Sequence, residues 1–112
     1  MPVIAFANPK GGAGKTTAAL LLATELAARN AQVIIIDADP ERWISQWGAL
    51  PGKPDTVEII ADVSEDGIVD VIEEAAGRTQ FVIIDLEGTA SLMVANAIGL
   101  SDLVVFPTQG VS

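Results

Sequence analysis

The sequence predicts a doubly wound α/β domain, a mainly parallel sheet of about five strands with helices on both faces. Three observations predict it. Half of the 112 residues are hydrophobic, and many lie in short unbroken runs: VIAFA (3–7), VIIID (33–37), FVIID (81–85) and LVVF (103–106). Strands covered on both faces read this way, because neither side meets water. Segments with helical patterning separate the runs, as crossovers between parallel strands require. A glycine-rich turn, NPKGGAGKTT (8–17), follows the first run and opens the first helical segment.

Each element follows in order. The first strand covers about 3–7. A helix is expected from Thr16 to Arg29, with Asn30 as its stop. The second strand covers about 32–37. Residues 37–55 read as loop, with a short helix at 41–48 after Pro40 that places Trp43 and Trp47 on one face at i, i+4 spacing. VEIIA (57–61) is a short strand, 66–77 an amphipathic helix, FVIID a strand and 90–99 a helix. LVVFP (103–107) is a last strand stopped by Pro107. No repeat, low-complexity segment or interdomain linker interrupts residues 1–112, so a single domain is expected.

Composition excludes several functions. Cys and His are absent, which removes disulfides, thiolate or imidazole metal sites and Cys or His nucleophiles. The longest uncharged stretch, 88–101, is broken by Gly88, Thr89, Ser91, Asn96, Gly99 and Ser101, and falls short of the ~20 apolar residues of a span. The N-terminus has no basic segment before its apolar run, so no signal peptide is expected and a cytoplasmic location is. Net charge is −9, and Lys10 and Lys15 sit in the glycine-rich loop, leaving four cations elsewhere. No basic patch for nucleic acid is visible. The acidic run in 55–74 reads as a solvated helix face and its loops.

A glycine-rich turn between strand and helix aims backbone N–H groups and a helix dipole at one point, which makes a phosphate cradle. Gly14-Lys15-Thr16 fits the end of the P-loop pattern G-x-x-x-x-G-K-[ST], but Pro9 stands where its first glycine would fall. Gly11, Gly12 and Gly14 let the backbone approach an anion. Lys15 would bridge β- and γ-phosphate oxygens, Thr16 Oγ would ligate Mg²⁺, and Thr17 would reach the α-phosphate. Lys10 starts the loop, too far back to act as a second Lys15, and is placed to reach a phosphate held by a second subunit. The second strand ends in Asp37 and Asp39, where ligands bind in open α/β sheets. One would order a water on Mg²⁺ and the other orient the attacking water. Asp85 closes FVIID in the Walker-B form.

Together K-G-G-A-G-K-T-T with its leading lysine, I-D-A-D-P, a tryptophan at 47 and F-V-I-I-D…S-D-L-V-V-F-P resemble the deviant Walker-A ATPases of the ParA/MinD superfamily. The likeness is strongest to the small ParF-like plasmid partition proteins and runs along essentially the whole chain. It implies a P-loop domain, 1–112, forming the N-terminal part of a ParA-like fold that binds ATP and Mg²⁺, dimerises around nucleotide and hydrolyses it slowly. It implies a centromere-binding adaptor of the ParB or ParG kind as partner, and nucleoid association through segments beyond these residues. Under the resemblance Lys10 is the signature lysine reaching the partner subunit's nucleotide. Gly11, Gly12, Ala13, Gly14, Lys15, Thr16 and Thr17 form the phosphate loop. Asp39 positions water, and Asp37 and Asp85 support Mg²⁺ with Thr16.

The sequence departs from that family in two places. The usual D-P-Q is Asp39-Pro40-Glu41, and the usual D-x-P-P-G is Asp85-Leu86-Glu87-Gly88. Glu87 either repels the γ-phosphate or faces solvent. A sheet ending at LVVF is expected to expose an apolar edge. The absence of Cys excludes the nitrogenase-reductase branch, and no C-terminal amphipathic helix of the MinD kind follows, so no membrane partner is expected. The other readings are a conjugative-transfer or protein-positioning ATPase of the same superfamily, a P-loop small-molecule kinase or synthetase that leaves Lys10 without a role, and an inactive nucleotide-binding fragment.

Overall fold

The computed structural model describes residues 2–8, 14–87 and 91–107. Lys10, Gly11, Gly12 and Ala13 lie outside them. In chain order the elements are β1 (Val3–Phe6), α1 (Lys15–Ala28), β2 (Val33–Asp37), α2 (Trp43–Gly48), β3 (Val57–Ile60), α3 (Ile68–Ala76), β4 (Phe81–Asp85), α4 (Leu92–Gly99) and β5 (Leu103–Val105). The strands form one sheet in the order β3-β2-β4-β1-β5, and every pairing is parallel.

That order dictates the layers. Going from β1 to β2 and on to β3, the chain moves one way across the sheet, and it returns through β4 to β5. Right-handed crossovers then place the outgoing helices on one face and the returning helices on the other. The packing agrees. Ala19, Ala23 and Ala27 of α1 and Ile44 of α2 bury against Ile4, Phe6, Val33, Ile35 and Ile83. Ile68, Ile72 and Ala75 of α3, with Val94 and Ala97 of α4, bury against Val3, Ala5, Ile34, Ile36, Val82 and Ile84. Neighbouring strand residues thus serve opposite cores, as the period-2 pleat requires.

Local chemistry sets the boundaries. α1 meets the sheet through alanines at i, i+4 spacing, so its axis lies close to the strands, while Leu21 on the far side is 65% exposed. It stops at Asn30, which takes φ 64°. Asn30 N–H donates to Ala27 O at 2.9 Å and Ala31 N–H to Leu26 O at 3.0 Å, the paired bonds of a Schellman cap. α2 begins at Trp43, two residues later than the sequence suggests, because Asp39 holds the preceding turn. Asp39 Oδ1 accepts from Glu41 N–H at 2.9 Å and its carbonyl from Arg42 N–H at 3.0 Å. α4 begins at Leu92 because Ser91 caps it, accepting from Val94 N–H at 3.1 Å.

Trp43 and Trp47 share the short helix but not an environment. Trp47 packs on the α1 core, whereas Trp43 is 53% exposed. The acidic residues Asp55, Glu58, Asp62, Glu65, Asp66, Asp70, Glu73 and Glu74 are all exposed, as a solvated face demands. Glu58 accepts two bonds from Arg78, which holds its carboxyl below the usual range. Among the described residues no helix is long and apolar enough to cross a membrane.

β5 pairs with β1 and borders the sheet among the described residues. Asp102 pins its register: Val3 N–H donates to Asp102 Oδ2, and Asp102 N–H to Val3 O, both at 2.7 Å. Leu103 and Phe106 at this border are 55% and 49% exposed, the apolar edge that the sequence foreshadows.

Candidate functional site

The connections after β1 and β4 leave in opposite directions, and these two strands are neighbours. Open α/β sheets bind ligands in the crevice outside the carboxyl ends of their strands at such a switch point. The functional candidates converge there. Gly14 opens α1 with φ 102°, a conformation that suits glycine, and its carbonyl accepts the first helical bond from Ala18 at 2.8 Å. Lys15 and Thr16 occupy the first helical turn.

Lys15 lies inside the protein, 1% exposed. Its ammonium donates to Asp39 Oδ2 at 2.8 Å and forms a short hydrogen bond to Asp85 Oδ1. Thr16 Oγ1 donates to the other Asp85 oxygen at 3.0 Å. One cation thus links the turn after β2 and the end of β4 to the start of α1. A charge this deep is tolerable only when paired and hydrogen-bonded. Burial pushes the Asp85 carboxyl above its ordinary range, against the opposing pull of Lys15 and Thr16, and the Asp39 charge adds to the rise.

Asp37 sits directly opposite Asp85 in the β2–β4 register. Strand alternation places both on the α1 face, two residues beyond Ile35 and Ile83. Asp37 is 1% exposed. Its Oδ2 accepts from Ser45 N–H at 2.9 Å and from Ser45 Oγ at 2.5 Å, while Oδ1 has no hydrogen-bond partner among the described residues.

The structure therefore gathers Lys15, Thr16, Asp39 and Asp85 into one bonded cluster, with Asp37 in register beside it. Thr17 lies on the exposed side of the same helical turn. Glu87 is exposed. Ser45 went unread in the sequence. A serine in the first turn of a helix that follows an aspartate-ended strand is the signal that marks it.

The donor set suits a small hard cation. It offers a hydroxyl, two carboxylates and, on Asp37, one buried oxygen still able to accept a hydrogen bond. No three acidic side chains among the described residues cluster closely enough to form a metal cage by themselves. Mg²⁺ fits that pattern, since it keeps several waters and is held by one or two protein groups plus substrate phosphates.

Residues 1–76 match the AAA domain family AAA_31. The protein ParA of Rhizobium radiobacter is 43% identical over 109 residues, covering 97% of this chain and 49% of that protein. The maintenance of carboxysome distribution protein A of Gloeobacter kilaueensis is 33% identical over 106 residues, 95% of this chain and 48% of that protein. The chain thus spans about half the length of these curated relatives. A plasmid partition protein from Borrelia burgdorferi, solved with AMPPNP bound, superposes with a TM-score of 0.70 at 20% identity, over 95% of this chain and 60% of that one. The chain belongs to the AAA_31 family of P-loop domains and, with its ParA relatives, to the ParA/MinD superfamily.

Proposed function

We propose that this chain is the Mg-ATP-binding part of a slowly hydrolysing, nucleotide-dependent dimerisation switch that partitions plasmid or chromosomal DNA. The observation that carries the reading is Lys15, buried at the start of α1 and bonded to Asp39 in the turn after β2 and to Asp85 at the end of β4. An ammonium has three donors. Asp39 and Asp85 take two, and the third is available to a phosphate oxygen. The AMPPNP in the Borrelia burgdorferi relative and the name of the Rhizobium radiobacter relative support the same reading.

Catalysis of phosphoryl transfer to water is mostly positioning and charge neutralisation. Lys15 neutralises phosphate charge and is held in place by Asp39 and Asp85. Asp39, fixed by its turn to Glu41 and Arg42, orients the attacking water. Gly14 opens the backbone toward the phosphates, with Gly11, Gly12 and Ala13 beside it and Thr17 at the α-phosphate. Thr16 and Asp85 would hold Mg²⁺, and Asp37 would accept from one of its waters. When bound, that ion would supply positive charge to offset that of the phosphates. Lys10 reaches the nucleotide of the second subunit, which links nucleotide state to dimerisation as a population shift. An adaptor protein is the partner, and the location is the cytoplasm. Nonspecific DNA contact belongs to segments beyond these acidic 112 residues.

The likeness to a carboxysome distribution protein favours a second reading, the same switch acting on a protein cargo. Light-scattering mass with Mg-ADP and Mg-ATP tests the switch. A monomer with ADP and a dimer with ATP, lost in Lys10→Ala, is expected. An ATP-dependent dimer that survives Lys10→Ala overturns the shared-nucleotide mechanism.

A further inference from the structure

Asp37 is tied to α2 as well as to the sheet. Both Ser45 donors, the backbone N–H and the hydroxyl, converge on the single oxygen Oδ2, at 2.9 and 2.5 Å. The shorter contact lies in the range of charge-assisted O–H···O⁻ bonds. A carboxylate gripped twice through one oxygen cannot rotate freely, so its other oxygen is held in a fixed direction. Asp37 Oδ1 is buried, and among the described residues nothing donates to it. A buried carboxylate oxygen without a donor is unfavourable unless something at the site supplies one.

We propose that Ser45 is a positioning residue for Asp37, holding Oδ1 to accept a hydrogen bond from water on the cation at the nucleotide phosphates. The inference rests on the Mg-ATP reading above and goes beyond it by assigning a role on α2, outside the phosphate loop. Partners one step removed from a metal, as Asp37 would be, typically change its affinity about 10–100-fold when lost, and Ser45 acts through Asp37 with a smaller effect. Ser45 therefore affects the cation more than the nucleotide. Trp43 and Trp47 lie on the same helix, two residues to either side, so their emission reports the integrity of α2.

The test titrates Mg²⁺ into the 112-residue chain saturated with a fluorescent ATP analogue, and separately titrates the analogue in EDTA. Ser45→Ala is expected to raise the half-saturating Mg²⁺ concentration about 3- to 10-fold while leaving analogue affinity in EDTA within about 2-fold. Ser45→Thr, which keeps the hydroxyl, restores the wild-type Mg²⁺ response. Ser45→Cys, a weak donor of similar size, replaces the alanine variant if that variant loses its tryptophan emission, and is expected to weaken Mg²⁺ in the same sense. An unchanged Mg²⁺ response in Ser45→Ala, or an equal loss with and without Mg²⁺, overturns the positioning role. A wild-type chain that binds no analogue under either condition overturns the nucleotide reading itself, and this proposal with it.

Discussion

Lys15 and Asp85, 70 residues apart in the chain, share a buried hydrogen bond at the meeting point of α1 and β4. The same ammonium holds Asp39 at 2.8 Å, so one side chain cross-links the first helix to the end of β4 and to the turn that follows β2. The bond is part of the fold as well as of the candidate site, and the two roles separate in experiment.

Removing the lysine leaves two buried carboxylates without their counter-ion. Lys15→Ala is expected to lose about 3–5 kcal/mol of stability, the usual penalty for breaking a buried pair. The double variant Lys15→Met/Asp85→Asn removes the Lys15–Asp85 pair but leaves Asp39 without its partner, so it is expected to recover part of that stability without recovering nucleotide binding. Urea unfolding of the three proteins, with an ATP titration of each, checks both halves. A double variant no more stable than Lys15→Ala would show that the pair does not act as a unit.

Asp85 gives the protein a pH dependence of defined sign. Burial raises its folded-state pKa above the ordinary 3.8, so between those values the folded chain binds more protons at this site than the unfolded chain. Stability from this group is present below 3.8 and is lost as pH rises through the raised folded value. Wild type is therefore expected to lose stability relative to Asp85→Asn as pH climbs above about 4. Thermal unfolding of both proteins from pH 3.5 to 7 measures the difference. A difference that moves the other way would mean that Lys15 and Thr16 outweigh burial.

Gly14 and Gly99 make a matched pair. Among the described residues an added methyl meets nothing within 4 Å at either position, but Gly14 has φ 102°. Gly14→Ala is expected to cost about 1–3 kcal/mol through backbone strain alone. Gly99→Ala, at the end of α4, is expected to be neutral or stabilising by up to about 1 kcal/mol. Equal effects on melting temperature would mean that the Gly14 conformation is not strained for alanine.

Four of the strands are legible in the sequence because each is built on an unbroken apolar run, β3 less so because Glu58 interrupts VEII, and the parallel pairing because helical segments separate them. The position of β4 between β1 and β2 is not legible. Nothing in a run such as FVIID says which neighbour it will take. Thr16 and Asp85 can be read as a pair from the P-loop and Walker-B patterns. The Lys15–Asp39 bond cannot, because it depends on how β2 and α1 meet in space. Trp43 and Trp47 show the limit of spacing arguments: i, i+4 places them together on a helix, yet Trp47 packs on the α1 core while Trp43 is exposed. Ser45 escapes motif reading because its role lies in two bonds to Asp37 eight residues away.

The central claim is that phosphate groups bind where α1 begins, beside Lys15 and its two carboxylates. Backbone amide NMR of the ¹⁵N-labelled chain, titrated with Mg-ATP and separately with adenosine, tests it most directly. Saturable shifts at Gly14, Lys15, Thr16 and Thr17 with Mg-ATP, and none there with adenosine, are the predicted result. Amides at these four positions that stay still under Mg-ATP, or that move equally with adenosine, would contradict the account.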